Sequence, residues 1–316
     1  GHGPALGRHQ MNVHRVLVTL ACAAVLGGTA AARQVFKAGT DLVLLNVTVA
    51  DAAGHLVTGL NQEDFQVYED GVLQTVTNFS REQLPIALSI ALDTSTSMER
   101  KLPVAQEAAA GFVRRLTPRD VAQIIDFDSQ AQILQPFTND KASLEQAIRR
   151  TQAGGSTSLY NALYTALSEL KGVRGPQTGE VRRQAIVALS DGEDTSSLVT
   201  FDDVLDLAKR SEVGVYAIGL REKGDPAMQG KWNEADYILK TLAQETGGRP
   251  FFVDDVSQLP AIYSQIADEL ANQYSVGYVS KNPKRDGAWR KITLRITRPN
   301  VTARTKAGYF GPKDRR

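Results

Sequence analysis

The sequence is poor in the residues that build the commonest metal and redox sites. Its 316 residues include one cysteine, Cys22, and four histidines, three of which lie within the first 14 residues. One cysteine excludes an intrachain disulfide and a cysteine-rich zinc site. The fourth histidine, His55, lies in an Ala-Gly-His turn that is distant in sequence from the other candidate residues, which argues against a Ser-His-Asp triad.

The chain also lacks an excess of charge of one sign. Its 36 basic and 35 acidic residues give a formal net charge of +1, so there is no overall signature of nucleic-acid binding. Apolar residues make up 42% of the sequence, as in soluble globular proteins. This composition excludes a disordered chain, a collagen-like repeat and a protein that crosses a membrane many times. The length allows one large domain or two ordinary ones.

Residues 1–32 have the pattern of an N-terminal extension followed by a secretory signal peptide. His14 and Arg15 precede an uncharged stretch of 13 residues, 16–28, and small residues follow at positions 30–32. We expect cleavage after Ala32 and a secreted, periplasmic or cell-envelope protein without a transmembrane segment after cleavage. The apolar stretch is shorter than the ~20 residues that span a bilayer. An uncleaved membrane anchor is the alternative.

Residues 84–272 alternate apolar strands with amphipathic helices. Residues 86–92 and 185–189 are nearly continuous apolar runs, as in strands that are buried on both faces. Helical periodicity separates and follows these runs, for example in the segment from Leu159 to Leu170. The alternation predicts an α/β domain with a doubly wound, mainly parallel sheet.

Residues 36–83 and 273–312 flank this domain with β-rich sequence. The predicted strands include 42–49, 72–79, 274–279, 289–296 and 301–309. Neither flank is long enough to form a core alone, because a single hairpin is marginally stable in water. We therefore expect the two flanks to form one small β-sandwich into which the α/β domain is inserted.

The two flanks carry opposite charge. Residues 34–83 have a net charge of −5, and residues 274–316 have a net charge of +10. Opposite charges favour pairing of the flanks, although each surface pair contributes only about 0–1 kcal/mol. The alternative is that the basic C-terminal segment contacts a polyanion or an anionic envelope.

Three polar loops hold the candidate functional residues. They are D-T-S-T-S at 93–97, G-G-S-T-S at 154–158 and S-D-G at 190–192. The first and third follow the two predicted buried strands, and ligands of parallel α/β sheets bind where such strands end. The residues that can converge there are Asp93, Ser95, Ser97, Thr157 and Asp191. The alternative is that these Asp and Ser side chains only cap helices and turns.

Two carboxylates and three hydroxyls, without sulfur or imidazole, form a set of hard oxygen donors. Such a set selects Mg²⁺, with Mn²⁺ or Ca²⁺ as alternatives. Because at most two formal negative charges face the cation, it retains attraction for a carboxylate from outside. The sequence therefore predicts a cation site that is open to an acidic ligand.

The same three loops resemble a von Willebrand factor type A domain. The resemblance rests on D-T-S-T-S, G-G-S-T-S-L-Y-N-A-L and A-L-S-D-G-E-D-T. It implies a metal-ion-dependent adhesion site, whose ligands map onto Asp93, Ser95, Ser97, Thr157 and Asp191. Ser156 and Ser158 flank Thr157, so the third hydroxyl ligand can be displaced by one position. Glu193 and Asp194 are candidates for the outer shell of the site.

Further segments resemble a bacterial, acidobacterial-type family of exported proteins with such a domain between β segments. They are G-L-N-Q-E-D-F-Q-V-Y-E-D-G, E-T-G-G-R-P-F-F and A-G-Y-F. The resemblance implies a domain that binds a protein or other acidic ligand, which donates a Glu or Asp carboxylate to the metal. Because no cysteine or histidine accompanies the three loops, we expect an adhesion protein and not an enzyme. An envelope assembly protein with a structural metal and a metal-dependent hydrolase are the alternatives. The ligand's identity, the oligomeric state and the pathway stay open.

Overall fold

A computed structural model describes residues 42–173, 182–221 and 234–314. The predicted N-terminal extension and signal peptide, residues 1–32, lie outside these described residues. Within them, no helix is both long enough and apolar enough to cross a membrane.

A six-stranded sheet forms the centre of the fold. Its strands are β5 (Ile86–Asp93), β6 (Val121–Phe127), β7 (Ala131–Thr138), β8 (Arg183–Ser190), β9 (Val213–Leu220) and β10 (Pro250–Val253). Their spatial order is β10-β9-β8-β5-β6-β7, and all neighbours are parallel except the edge pair β6 and β7. The predicted α/β fold with a mainly parallel sheet is confirmed.

In the described ranges, six α-helices cover the two faces of this sheet. They are α1 (Leu102–Arg114), α2 (Lys141–Arg150), α3 (Leu159–Gly172), α4 (Phe201–Lys209), α5 (Glu234–Thr246) and α6 (Leu259–Ala271). All eight residues of β5 are buried, because successive side chains enter the two opposite cores. Leu88 and Ile90 pack in the core formed with α1, α2 and α6, whereas Ala87 and Ala91 face α3, α4 and α5.

Two antiparallel sheets are built jointly from the N-terminal and C-terminal segments. Their strands are β1 (Leu42–Asp51), β2 (Phe65–Glu69), β3 (Val72–Leu73), β4 (Val76–Ser80), β11 (Tyr274–Val279), β12 (Trp289–Ile296), β13 (Val301–Arg304) and β14 (Gly308–Phe310). The sheet orders are β13-β1-β11-β4 and β14-β12-β2-β3. Both sheets contribute to one apolar cluster that includes Val47, Val67, Val276 and Ile292. This arrangement agrees with the expected β-sandwich, whose domain boundaries stay a prediction.

The prediction of single strands over 72–79 and 301–309 is wrong. In each case the chain leaves one sheet and joins the other: β3 pairs with β2 but β4 pairs with β11, and β13 pairs with β1 but β14 pairs with β12. Gln74 marks the first crossing, since its backbone N–H donates to Val67 and its side chain accepts from the N–H of Lys281. Strands that change sheets close the corners of a sandwich.

Candidate metal centre

The candidate site lies where the central strands β5 and β8 end. Asp93 is the last residue of β5, and Ser190, the last residue of β8, is followed directly by Asp191. The chain runs from β5 to β6 on one side and returns to β8 on the other, so the ends of β5 and β8 flank the point at which the strand order reverses. Crevices of this kind are the usual ligand sites of open α/β sheets.

Asp93 is a buried carboxylate held by two hydrogen bonds. The backbone N–H of Ser95 donates to Oδ1 at 2.9 Å, and the hydroxyl of Ser190 donates to Oδ2 at 2.6 Å. Burial raises the pKa of Asp93, and the negative charge of Asp191 adds to the rise, whereas the hydrogen bonds oppose it. A nearby cation would favour the charged form of this carboxylate.

The side chains of Ser95, Ser97 and Asp191 form a continuous chain of oxygen atoms. The hydroxyls of Ser95 and Ser97 are 3.0 Å apart, and the Ser97 hydroxyl donates to Oδ1 of Asp191 at 2.7 Å. Adjacent oxygens in an octahedral Mg²⁺ shell are about 2.9 Å apart, because each lies about 2.0–2.1 Å from the ion. The spacing of these donors therefore fits a shared small cation.

The loop that carries Thr157 is bound to the loop that follows Asp93. The N–H of Gly154 donates to the carbonyl of Thr94 at 2.8 Å, and the hydroxyl of Thr96 donates to the carbonyl of Gly155 at 2.9 Å. Gly155 has a φ of +71°, and a Cβ there would lie 2.5 Å from the Ser129 hydroxyl. A side chain at this position would therefore be strained and would clash.

Thr157 itself lies beside the turn that contains Asp191. Its hydroxyl is 3.9 Å from the position that a Cβ on Gly192 would take. Its backbone N–H donates to the Thr195 hydroxyl at 3.1 Å, and its carbonyl accepts from the N–H of Thr195 at 2.8 Å. These contacts bring the three predicted loops to one place at the edge of the sheet.

The two serines that flank Thr157 differ in their surroundings. The hydroxyl of Ser156 lies 3.1 Å from that of Ser129, on the rim of the site. The hydroxyl of Ser158 is buried and has no hydrogen-bond partner in the described part of the chain, and the same holds for Thr94. Both are therefore exceptions to the rule that buried polar groups are hydrogen-bonded.

The carboxylate of Asp194 caps the first turn of α3. Its Oδ2 accepts from the N–H of Tyr160 at 2.9 Å and from the Ser197 hydroxyl at 2.6 Å, and its Oδ1 accepts from the N–H of Ser197 at 3.1 Å. Both carboxylate oxygens are therefore used by the helix and its flanking loop. Glu193, the other candidate for the outer shell, lines a small cavity with Tyr160 and Glu234.

Two further residues contact the site, and sequence reasoning gave neither of them a role. Ser190 holds Asp93, as described above. The ammonium of Lys101 contacts Oδ2 of Asp191, whose side chain is 0% exposed. Lys101 follows Ser97 by four residues, a spacing that could have indicated a shared face. Among the described residues no group of three or more His, Cys, Asp or Glu side chains is arranged to hold a metal. The candidate set differs from such a group because it contains two carboxylates and three hydroxyls.

Comparison with known proteins identifies the family. The model of the von Willebrand factor type A (VWA) domain matches residues 88–265, which is more than half of the chain. The chain belongs to the VWA domain family. All five candidate residues lie inside the matched part of this VWA protein, as the resemblance of its loops predicts.

Curated relatives and solved structures are distant. A "UPF0353 protein" of Mycolicibacterium gilvum is 26% identical over 216 residues, covering 63% of this chain and 64% of the relative. An uncharacterized protein of Borreliella burgdorferi is 22% identical over 222 residues, covering 67% of this chain and 62% of the relative. The chain thus spans less than two thirds of the length of these curated relatives.

Two solved structures share the fold. A von Willebrand factor type A protein from Catenulispora acidiphila has a TM-score of 0.50 and 13% identity, over 88% of this chain and 76% of that one. Proximal thread matrix protein 1 from the mussel byssus, solved with a zinc-occupied MIDAS motif, has a TM-score of 0.50 and 15% identity, over 65% of this chain and 50% of that one. At these identities the likeness concerns the fold alone.

Proposed function

We propose that this VWA protein holds a divalent cation at Asp93, Ser95, Ser97, Thr157 and Asp191 and uses it to capture a carboxylate of a protein partner. The observation that carries the proposal is the contact of Ser97 with both Ser95 and Asp191, from loops that are almost a hundred residues apart in sequence. The bound cation would supply a fixed positive charge at the surface, to which a Glu or Asp of the partner adds.

The donor set supports Mg²⁺ as the preferred ion, with Mn²⁺ or Ca²⁺ as alternatives. All the candidate donors are oxygen atoms, and hard cations prefer such donors. Zinc belongs in any test, because the mussel byssus protein was solved with zinc in its MIDAS motif. In this chain the residues themselves would orient the ion: Ser190 fixes Asp93, and Ser97 fixes Oδ1 of Asp191.

A wide cleft beside the candidate site supports binding of a partner segment. It has a volume of about 590 Å³, and its lining includes Ser97, Lys101, Arg221 and Asp254. Its lining is strongly polar, so it suits a charged peptide surface better than an apolar small molecule. Charged groups on such a rim add specificity to the central carboxylate contact.

Binding is a better account of the site than catalysis. VWA domains often bind protein partners. The described site residues offer carboxylates and hydroxyls but no imidazole or thiol that would act as a base or nucleophile. His55 is on the β-sandwich segment, where it lies 3.2 Å from Asp51. Metal-dependent hydrolysis and a purely structural metal are the two alternatives, and the experiments below separate them.

We also propose that the protein is exported to the periplasm or the cell surface. The support is the basic, apolar and small-residue order at positions 14–32. Cell fractionation of the protein expressed in a bacterial host would test this. Recovery of the full-length chain in the cytoplasm would count against export, and a membrane-bound product would favour the uncleaved anchor.

Isothermal titration calorimetry of the purified chain tests the metal site. We expect uptake of one Mg²⁺ or Mn²⁺ ion and loss of that uptake in Asp93→Asn and Asp191→Asn. Asp206→Asn is the matched control, because Asp206 is an exposed carboxylate on α4 that pairs with Arg210. The proposal is wrong if the wild-type chain takes up none of Mg²⁺, Mn²⁺, Ca²⁺ and Zn²⁺, or if Asp93→Asn binds as tightly as Asp206→Asn.

Thermal unfolding and a peptide probe separate a binding metal from a structural one. If the metal serves only binding, the Asp93→Asn variant and the wild-type protein in chelator should both stay folded. If the metal is structural, both samples should unfold at a much lower temperature than the metal-bound wild type. With Mn²⁺ bound, a peptide that contains Glu should lower the water relaxivity of the ion by displacing its water, and the matched Gln peptide should not. Metal-dependent turnover in a hydrolase screen would favour the enzyme alternative.

A further inference from the structure

The contact between Lys101 and Asp191 joins two groups that are largely removed from water. The side chain of Asp191 is 0% exposed and that of Lys101 is 19% exposed. A buried carboxylate without a counter-charge is strongly disfavoured. The ammonium of Lys101 therefore neutralises the buried charge of Asp191, as a bound metal ion would also do.

The two oxygens of Asp191 face different neighbours. Oδ1 accepts the hydrogen bond of Ser97, on the side of the candidate metal ligands, whereas Oδ2 contacts Lys101. A cation that takes Oδ1 would thus share one carboxylate with a second positive charge. Positive charges a few ångströms apart in a partly buried site repel each other strongly.

The position of Lys101 is not explained by the stability of its helix. Lys101 occupies the residue just before α1, and its carbonyl accepts from the N–H of Ala105 at 3.1 Å. A positive charge at a helix N-terminus is unfavourable, because the helix dipole is positive there. Its backbone is also fixed on the other side, where its N–H donates to the carbonyl of Met98 at 2.8 Å. The fixed backbone of Lys101 therefore positions the ammonium at Asp191, although the positive charge lowers the stability of α1.

We propose that Lys101 is the internal counter-cation of Asp191 in the metal-free protein and that the divalent ion has to compete with it. This inference rests on the proposed metal site. Lys101 keeps the metal-free site folded and weakens metal binding. The neighbouring cleft, which Lys101 also lines, gives its side chain a place to move when the metal binds.

The test compares Lys101→Gln with Arg100→Gln in the full chain. Arg100 is exposed and lines the same cleft, so its replacement makes the same change in net charge next to the site. Calorimetry with Mn²⁺ alone should give a dissociation constant about tenfold lower for Lys101→Gln, because the competing charge is gone. Arg100→Gln should stay within about twofold of wild type, since exposed charges are screened. Lys101→Arg, which keeps the charge, should also stay close to wild type.

Thermal unfolding in chelator gives a second readout that does not depend on metal. Lys101→Gln should unfold at a lower temperature than wild type without metal, because Asp191 has lost its partner, and saturating Mn²⁺ should remove that difference. Equal or weaker Mn²⁺ binding by Lys101→Gln, with clear uptake by wild type, would overturn the inference and leave the metal site standing. Absence of uptake in wild type and all variants would instead overturn the proposed function.

Discussion

Removal of Glu69 should destabilise the protein more than removal of any exposed glutamate. Glu69 ends β2 and is 2% exposed. Its Oε1 accepts from the Ser280 hydroxyl at 2.6 Å and lies 3.4 Å from Nη1 of Arg290. Its Oε2 accepts from the hydroxyls of Tyr278 at 2.8 Å and Tyr309 at 3.0 Å. The side-chain carboxylate of Glu69, in the N-terminal β segment, thus contacts four side chains of the C-terminal segment.

The expected loss of stability follows from the burial of Arg290, the ion-pair partner of Glu69. Arg290 is also only 2% exposed, so Glu69→Ala leaves a buried guanidinium without its counter-charge. Breaking a buried pair in this way costs about 3–5 kcal/mol of unfolding free energy. For a chain of this size each kcal/mol lowers the melting temperature by about 2–4 °C, so we expect a fall of about 6–20 °C. Replacing both partners, as in Glu69→Gln with Arg290→Met, should cost less than Glu69→Ala alone.

Urea and thermal unfolding followed by circular dichroism would measure these changes. Glu107→Ala is the matched control, because Glu107 is likewise ion-paired, with Arg114 and Arg149, but its side chain is 59% exposed. Exposed ion pairs contribute little to stability, so this control should unfold almost as wild type does. The reasoning is refuted if Glu69→Ala costs no more than Glu107→Ala, or if the double variant costs more than Glu69→Ala.

Three further predictions concern the α/β domain. Burial, with help from a neighbouring carboxylate, raises the pKa of Asp126 from 3.8 to about 6, so its ionisation opposes folding and stability falls as the pH rises from about 4 through 6. Because Asp126 is only half-buried, Asp126→Asn should gain about 1 kcal/mol above pH 6 and nothing below pH 4, which melting temperatures against pH would check. Asp194→Ala removes the cap on the N–H of Tyr160 and should cost about 1–2 kcal/mol in thermal unfolding. Gly248→Ala should greatly reduce the yield of folded protein, because its Cβ would lie 1.9 Å from the carbonyl oxygen of Val215.

The α/β core was predictable because its signal is local and redundant. The apolar runs at 86–92 and 185–189 are each too short to cross a membrane, so they are best interpreted as strands whose two faces are both covered by other parts of the fold. Those runs became β5 and β8, neighbours at the centre of the sheet. The order of helices and strands then leaves few alternatives to a doubly wound fold.

The β-sandwich was predictable only in outline. Residues 72–79 are rich in β-branched and apolar residues and predict one strand, yet the chain changes sheets at Gln74, which is 5% exposed. That side chain is buried because its amide oxygen accepts from the N–H of Lys281, more than 200 residues away in sequence. A contact between residues so far apart in sequence does not affect the local pattern of apolar and polar residues. The position at which the chain changes sheets could therefore not be predicted from that pattern.

The candidate site was also predictable only in part, since some of its residues are close in sequence and others meet only through tertiary contacts. Asp93, Ser95 and Ser97 belong to one short turn at the end of one strand, so their spacing alone predicts that they lie together. The local sequence does not show which groups Lys101 and Asp194 contact. Asp194, a candidate for the outer shell of the site, accepts from the backbone of α3, and the ammonium of Lys101, to which the sequence analysis gave no role, contacts Asp191. In both cases the tertiary contact decides the role.

In the proposed function, selectivity for a partner would depend on residues that the ligand motif does not constrain. The rim beyond Asp191 is held in place, since the amide oxygen of Asn161 accepts from the N–H of Leu198 at 3.1 Å, yet the side chain of Leu198 is 93% exposed. On the other side, the cleft carries Glu99 and Asp254 as well as basic groups. A cation at the proposed site would attract many carboxylates, but only a partner whose charges complement this mixed rim would avoid like-charge contacts that cost several kcal/mol. If the proposed function holds, metal binding and partner choice are separable, and variants of the rim should change the second without changing the first.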